Sequence, residues 1–310
     1  MRSVRLALQA MATRFELLMY GSDPVALRAA GEEALREIAL LEKQLSFYDP
    51  YSEVSRINRD AADRPVRVSA RLFSLLQTAR ACTESTKGAF DITIGPLMRC
   101  WGFVRSTGTW PSDQTLNAAR AVTGMSLVRL RGAGRTVEFA RPGLTIDLGA
   151  IGKGFAIEEA TMLLRQCGVA SALLHGGTSS IGAIGTPPEE PEGWPVGIAD
   201  PRDPSRNAAT IRLRDEAFSV SATWGKAFRH KGTQFGHVID PRSGQPVRGA
   251  ALAAVAHSSA TWCDALSTGL LILDPNTARS VSDTQDRVRW LTGYRKADGI
   301  AYHSQGIDTN

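Results

Sequence analysis

The order of its two hydrophobic periodicities constrains this chain most. Leu27, Ala30, Ala34, Ile38, Leu41 and Leu45 recur at spacings of three and four after Asp23-Pro24, which predicts a long amphipathic helix. A second helix is predicted over residues 70 to about 87, with Leu72, Leu75, Leu76 and Ala79 inward and Gly88 as its stop. A third runs from Gly152 through Ile157, Ala160, Leu163 and Leu164 to Gly168. A strand at 13–20 precedes these helices. After them, short apolar or β-branched runs at 128–130, 136–139, 144–146, 196–198, 210–213 and 236–239 are punctuated by Gly, Pro and Asp, as hairpins require. A helix over 261–273 ends at Asp274-Pro275, two short apolar runs follow, and 186–193 reads as a surface loop. Helices early and strands clustered later predict an α+β fold, mainly antiparallel sheet with flanking helices, and argue against a regular βαβ wind.

Composition narrows the function classes. The 310 residues suffice for one large or two ordinary domains, and 43% hydrophobic content fills a sizeable core. With 36 basic and 31 acidic residues, the surplus of +5 is too small and scattered to argue for nucleic acid. No run of 18 apolar residues predicts a membrane span. Cys82, Cys100, Cys167 and Cys263 form no CxxC pair and have no His at zinc-like spacing, so they read as reduced core residues. Gln9, Arg14 and Glu16 interrupt any signal-like apolar stretch. The expected location is therefore cytoplasmic, or periplasmic for a form whose export signal has been removed.

Three clusters carry chemistry or turn geometry. In TIDLGAIGKGFAIEEA (145–160) a glycine-rich turn feeds a helix, where backbone N–H groups and the helix N-terminus can meet phosphate. It matches neither a P-loop nor GxGxxG, and glycine there can be conformational only; Lys153 beside the turn and Asp147 before it favour a phosphorylated ligand. In TWCDALSTGLLIL (261–273), Asp264 and Thr268 share a helical face as hard oxygen ligands suited to Mg²⁺, or serve only the helix dipole and packing. In FGHVIDPRSGQPV (235–247) turn chemistry explains Asp240, Pro241, Gly244 and Pro246, whereas His237, read on a strand before the turn, either faces a cleft or is an ordinary strand histidine. Phe90 and Tyr48 either flank turns or stack on a planar ring, with Asp91 accepting from it.

Taken in order, MATRF, LSFYDPYSEVSRIN, GAFDITIGPL, IDLGAIGKGFAI, HGG, HVIDPRSGQPV and CDALST resemble the ApbE family of FAD:protein FMN transferases, from Met11 to about Leu273. The resemblance implies one ApbE-like domain over 1–310 that takes FAD as substrate with Mg²⁺ at its pyrophosphate. It implies transfer of FMN to a Thr or Ser hydroxyl of an acceptor protein, with release of AMP. Residue by residue, it implies flavin or adenine contacts at Met11, Tyr48, Ala89, Phe90 and Asp91. Asp147 and Lys153 would be ligand contacts, and Ile239 a further FAD contact. The metal would be held by the carbonyl of Ala150, by Asp264 and by Thr268 with help from Ser267, and His237 would be the base. An FAD pyrophosphatase releasing FMN and AMP, and a non-catalytic flavin-binding protein, are the alternatives. The sequence departs from the pattern at Ala222 and Trp224 in SVSATW, and at His175 before the Gly pair.

Overall fold

In a computed structural model of the chain, residues 1–104, 108–223, 227–283 and 287–309 are described. The chain opens with β1 (Arg2–Ala10) and β2 (Thr13–Gly21), then α1 (Pro24–Leu45), α2 (Glu53–Asp60), β3 (Val66–Arg67) and α3 (Ala70–Ser85). Next come α4 (Gly95–Cys100), α5 (Asp113–Ala121), β4 (Val128–Arg131), β5 (Thr136–Phe139) and α6 (Gly152–Gln166). They are followed by β6 (Ala172–Gly176), β7 (Ser180–Ile184), β8 (Trp194–Asp200), β9 (Asp203–Leu213) and β10 (Ala217–Ala222). The remainder is β11 (Ala227–His230), β12 (Thr233–Gly236), β13 (Ala250–His257), α7 (Ala260–Ile272), α8 (Pro275–Asp283), β14 (Arg289–Lys296) and β15 (Gly299–Gln305).

Eight strands form one antiparallel sheet in the order β1-β2-β6-β7-β10-β13-β14-β15, so the fold is α+β as the periodicities predict. Its interior strand β13 reads AALAAVAH and is buried on both faces. Ala253 and Val255 face a core shared with α1, α3, α6 and α7; Leu252, Ala254 and Ala256 face a second core closed by β8 and β9. The period-2 alternation of a strand divides the two sets, and small alanines let helices approach the sheet closely. Trp194, Ile198 and Leu213 from the β8–β9 hairpin supply the second core with bulk.

Helix starts follow from short polar side chains. Asp23 accepts from the amides of Val25 at 2.9 Å and Ala26 at 3.1 Å, and Ser69, Ser112 and Ser259 cap α3, α5 and α7 in the same way. The N-cap position of α6 is Ile151, whose side chain accepts no bond, and a first-turn amide, that of Gly154, goes instead to Asp264 on α7. α3 ends at Ser85, two residues short of the predicted limit, because Lys87 and Gly88 take φ of 53° and 78° and leave the helix.

Three expectations need correction. Residues 144–146 form no strand: the Asn58 side-chain amide takes both polar groups of Ile146, donating to its carbonyl at 2.9 Å and accepting from its amide at 2.8 Å. Residues 237–239 are not a strand either, since β12 ends at Gly236 and only Ile239 forms an isolated bridge, to Pro246. The cysteines are free, but only Cys82 and Cys263 are buried; Cys167 closes α6 on an exposed face.

Candidate active site

The α6 and α7 helices meet at an unusually close point. A Cβ at Gly154 would lie 2.6 Å from Asp264 Cβ, so only glycine admits the approach. Across it the Gly154 amide donates to Asp264 Oδ2 at 2.9 Å. Asp264 Oδ1 has looser partners, the Ser180 hydroxyl at 3.4 Å and Lys153 Nζ at 3.8 Å, although the residue is 4% exposed. One turn on, Thr268 Oγ1 lies 3.4 Å from the Asp264 carbonyl, and Ser221 Oγ on β10 lies 3.1 Å from Thr268 Oγ1 and 2.8 Å from Ser267 Oγ.

Of these groups Lys153, Ser221, Asp264 and Thr268 line a pocket of about 360 Å³. Ala89, Phe90, Asp91, Asp147, Ala150, Lys153, His237, Ile239, Asp264 and Thr268 all line it, so ten of the residues singled out from sequence converge there. A second pocket of about 290 Å³ takes Met11 and the exposed Tyr48. The two adjoin, sharing Asp147, Gly149 and Lys153. Tyr48 and Phe90 therefore line different, adjoining pockets. Ser267 lines neither pocket: fully buried, it stands behind Thr268 and donates to the Asp264 carbonyl at 3.0 Å. His175 lies elsewhere, with Nε2 3.3 Å from Glu16 of the neighbouring strand; Trp224 falls outside the described residues.

Local bonding fixes each loop. Met11 and Ala12 form the two-residue β1–β2 turn with φ of 51° and 56°, conformations uncommon without glycine, and Glu42 on α1 accepts from the Met11 amide at 2.5 Å. The Asp147 amide donates to the Ile92 carbonyl at 2.7 Å, tying the 145–151 turn to the 89–94 turn. Gly269 lets the end of α3, which leads into the latter, lie on α7, since a Cβ there would meet Thr86 Cγ2 at 2.6 Å. The loop carrying His237 is pinned at its far end by Trp101 Nε1, which donates to the Gly244 carbonyl at 2.8 Å.

Two carboxyls are poised by burial. Removal from water pushes Asp91 above the usual carboxylate range, against the pull of its bonds from Thr93 and Met125. Desolvation likewise raises Asp147, opposed by the Gly149 amide at 2.8 Å.

The donor set also bears on a metal. Among the described residues no three His, Cys, Asp or Glu side chains cluster, so a cage of nitrogen, sulfur or several carboxylates is not built. One carboxylate, one hydroxyl and the Ala150 position lining a single pocket suit a hard cation such as Mg²⁺.

Sequence reasoning missed Ser221, Ser179, Met98 and the Leu271–Ile272 pair, which also line the larger pocket, and the supports Glu42 and Asn58. Alternation of Ser219 and Ser221 along β10 was the available signal for Ser221.

The ApbE family model matches residues 11–291. The chain belongs to the ApbE family. The FAD:protein FMN transferase of Vibrio cholerae is 28% identical over 270 residues, 84% of this chain and 78% of that protein. The FAD:protein FMN transferase of Salmonella typhimurium is 31% identical over 248 residues, 76% of this chain and 69% of that one. Among solved structures, the flavin transferase ApbE from Vibrio cholerae superposes with a TM-score of 0.84 at 26% identity, covering 98% of this chain and 97% of its own. The ApbE protein from Thermotoga maritima does so with a TM-score of 0.87 at 27% identity and the same coverage.

Proposed function

We propose that this ApbE-family transferase is a Mg²⁺-dependent FAD:protein FMN transferase, which attaches FMN to a Thr or Ser hydroxyl of an acceptor protein and releases AMP. The observation that carries this reading is the pair of adjoining pockets with Lys153 at their junction. FAD has two flat halves linked by a pyrophosphate. One half in each pocket puts the pyrophosphate beside the Lys153 ammonium and the positive end of the α6 dipole.

In the larger pocket, Phe90 and Ile239 offer apolar surface to a ring, and half-buried Met11 does so in the smaller one. Asp264, Thr268 and the Ala150 carbonyl would hold Mg²⁺, with Ser267 bracing Asp264 and Thr268 from behind. When bound, the metal supplies charge neutralisation at the phosphate oxygens.

The chemistry required of the protein is then modest. The acceptor hydroxyl oxygen attacks the flavin-side phosphorus and forms a new P–O bond. The bond from that phosphorus to the bridging oxygen breaks, and AMP departs with the electron pair. His237, on the wall of the same pocket, takes the hydroxyl proton, a role suited to an imidazole near neutral pH. Following AMP from FAD and Mg²⁺ tests this reading: AMP that appears only after acceptor is added supports transfer. Steady AMP without acceptor makes the protein a pyrophosphatase, and bound flavin with no AMP in either case makes it a binding protein.

A further inference from the structure

A larger cleft lies outside these pockets. It has a volume of about 1160 Å³, runs past the end of α3, α5 and β4, and meets the larger pocket at Asp91 and Pro241. Arg80, Lys87, Arg120, Arg129, Arg131 and Arg242 line it, against two carboxylates, Glu84 and Asp91. Neighbours offset part of this charge: Asp240 pairs with Arg242 at 2.8 Å, and Glu138 is shared between Arg129 at 3.3 Å and Arg131 at 3.4 Å. One carboxylate cannot neutralise two guanidiniums. Arg80 and Arg120 bond to neutral carbonyls, those of Val128 and Arg242 at 2.7 and 3.1 Å, which do not offset their charge.

A second observation is independent of charge. β4 is the outer strand of the sheet β3-β5-β4; at Val128 the amide donates to the Met125 carbonyl and the carbonyl accepts from Arg80, whereas the outer side of Leu130 has no strand partner among the described residues. All four β4 residues line the cleft. An open strand edge accepts an extended chain through main-chain hydrogen bonds. The cleft also exceeds the roughly 300–1,000 Å³ typical of small-molecule pockets.

We propose that this cleft docks the acceptor protein: an extended acidic segment adds beside β4 and meets the cationic lining, which delivers the acceptor hydroxyl past Asp91 and Pro241 to the flavin. The inference rests on the transferase reading, since a macromolecular second substrate needs a route into a pocket that FAD already fills. Charge complementarity selects the acidic segment, and the edge strand selects an extended one.

The test uses the full chain and three fluorescein-labelled peptides, each with a single Thr flanked by Asp and Glu, by Gly and Ser, or by Lys. Anisotropy is read at low and high salt, with FAD affinity followed separately by flavin fluorescence. The acidic peptide is expected to bind at least about ten-fold tighter than the neutral one, with the preference shrinking as salt screens it. The exposed pair Arg129→Glu/Arg131→Glu, with Arg129→Gln/Arg131→Gln as the milder variant, should abolish the preference and leave FAD affinity unchanged. Equal binding of the three peptides overturns the proposal. So does a preference that survives both variants, or a ten-fold loss of FAD affinity in them, which would make the cleft part of the nucleotide site. If FAD fails to bind while the acidic preference holds, the flavin reading falls and the docking surface stands.

Discussion

Gly154 and Asp264, 110 residues apart in sequence, are joined by one hydrogen bond of 2.9 Å from the amide to Oδ2. It sets the orientation of the carboxylate and works only because α6 and α7 touch at a glycine. Gly154→Ala places a methyl 2.6 Å from Asp264 Cβ, and the helices must separate. Overpacking of this kind costs about 1–3 kcal/mol. Thermal unfolding should fall by several degrees, and Mg²⁺ titration of FAD-dependent turnover should shift to higher metal concentration. An unchanged metal requirement would mean that the Asp264 orientation is immaterial.

His237→Ala should lower kcat by roughly 10²- to 10⁴-fold, the range for loss of a general base, while FAD still binds. Flavin fluorescence titration beside a turnover assay separates the two effects. A large loss of FAD affinity with kcat preserved would make His237 a binding residue instead.

Asn58 touches neither pocket yet holds the segment that leads into Asp147, through its paired bonds to Ile146. Asn58→Ala leaves the fully buried Ile146 without both partners, at a cost of about 1–3 kcal/mol for an unsatisfied buried group. KM for FAD should rise more than kcat falls, since Asp147 and Lys153 loosen while His237 stays in place. Equal effects on both would place Asn58 closer to the chemistry.

Asp147 gives a pH dependence of definite sign. Its carboxyl is raised in the folded state by desolvation, so it contributes stability that is full below the unfolded value near 3.8 and is lost as pH rises through the folded value. Asp147→Asn retains an oxygen for the Gly149 amide and lacks this loss. Without metal or FAD, the Tm difference between variant and wild type should move in the variant's favour from pH 4 to pH 7. A constant difference would show that the carboxyl titrates alike in both states.

Much of the architecture was legible in sequence because its causes are local. The stripe from Leu27 to Leu45 and the Asp23 cap specify α1 without reference to the rest of the chain. Residues 144–146 misled because β-branched and apolar residues suit an extended backbone, whereas strand pairing depends on a partner; here the partner is the side chain of Asn58. The convergence of Asp147, Lys153, His237 and Asp264 was accessible through the ordered family motifs, and no single spacing carried it. Neither the division into two pockets nor the retreat of Ser267 behind Thr268 could be read, since the first depends on where Asp147, Gly149 and Lys153 stand between the pockets and the second on how α7 packs against β10. The cationic cleft was hidden for another reason: its lining residues are scattered from Arg80 to Arg242, and a surplus of +5 over the chain gives no hint that they gather.

The most direct measurement of the central claim is intact-protein mass spectrometry of flavoprotein acceptor domains incubated with this chain, FAD and Mg²⁺, with and without EDTA. Transfer predicts a mass gain of one FMN less one water on a single Thr or Ser, matched by one AMP, absent with EDTA and absent when that residue is changed to Ala. Acceptors that remain unmodified while FAD is consumed, or a mass gain that persists in EDTA, would contradict it.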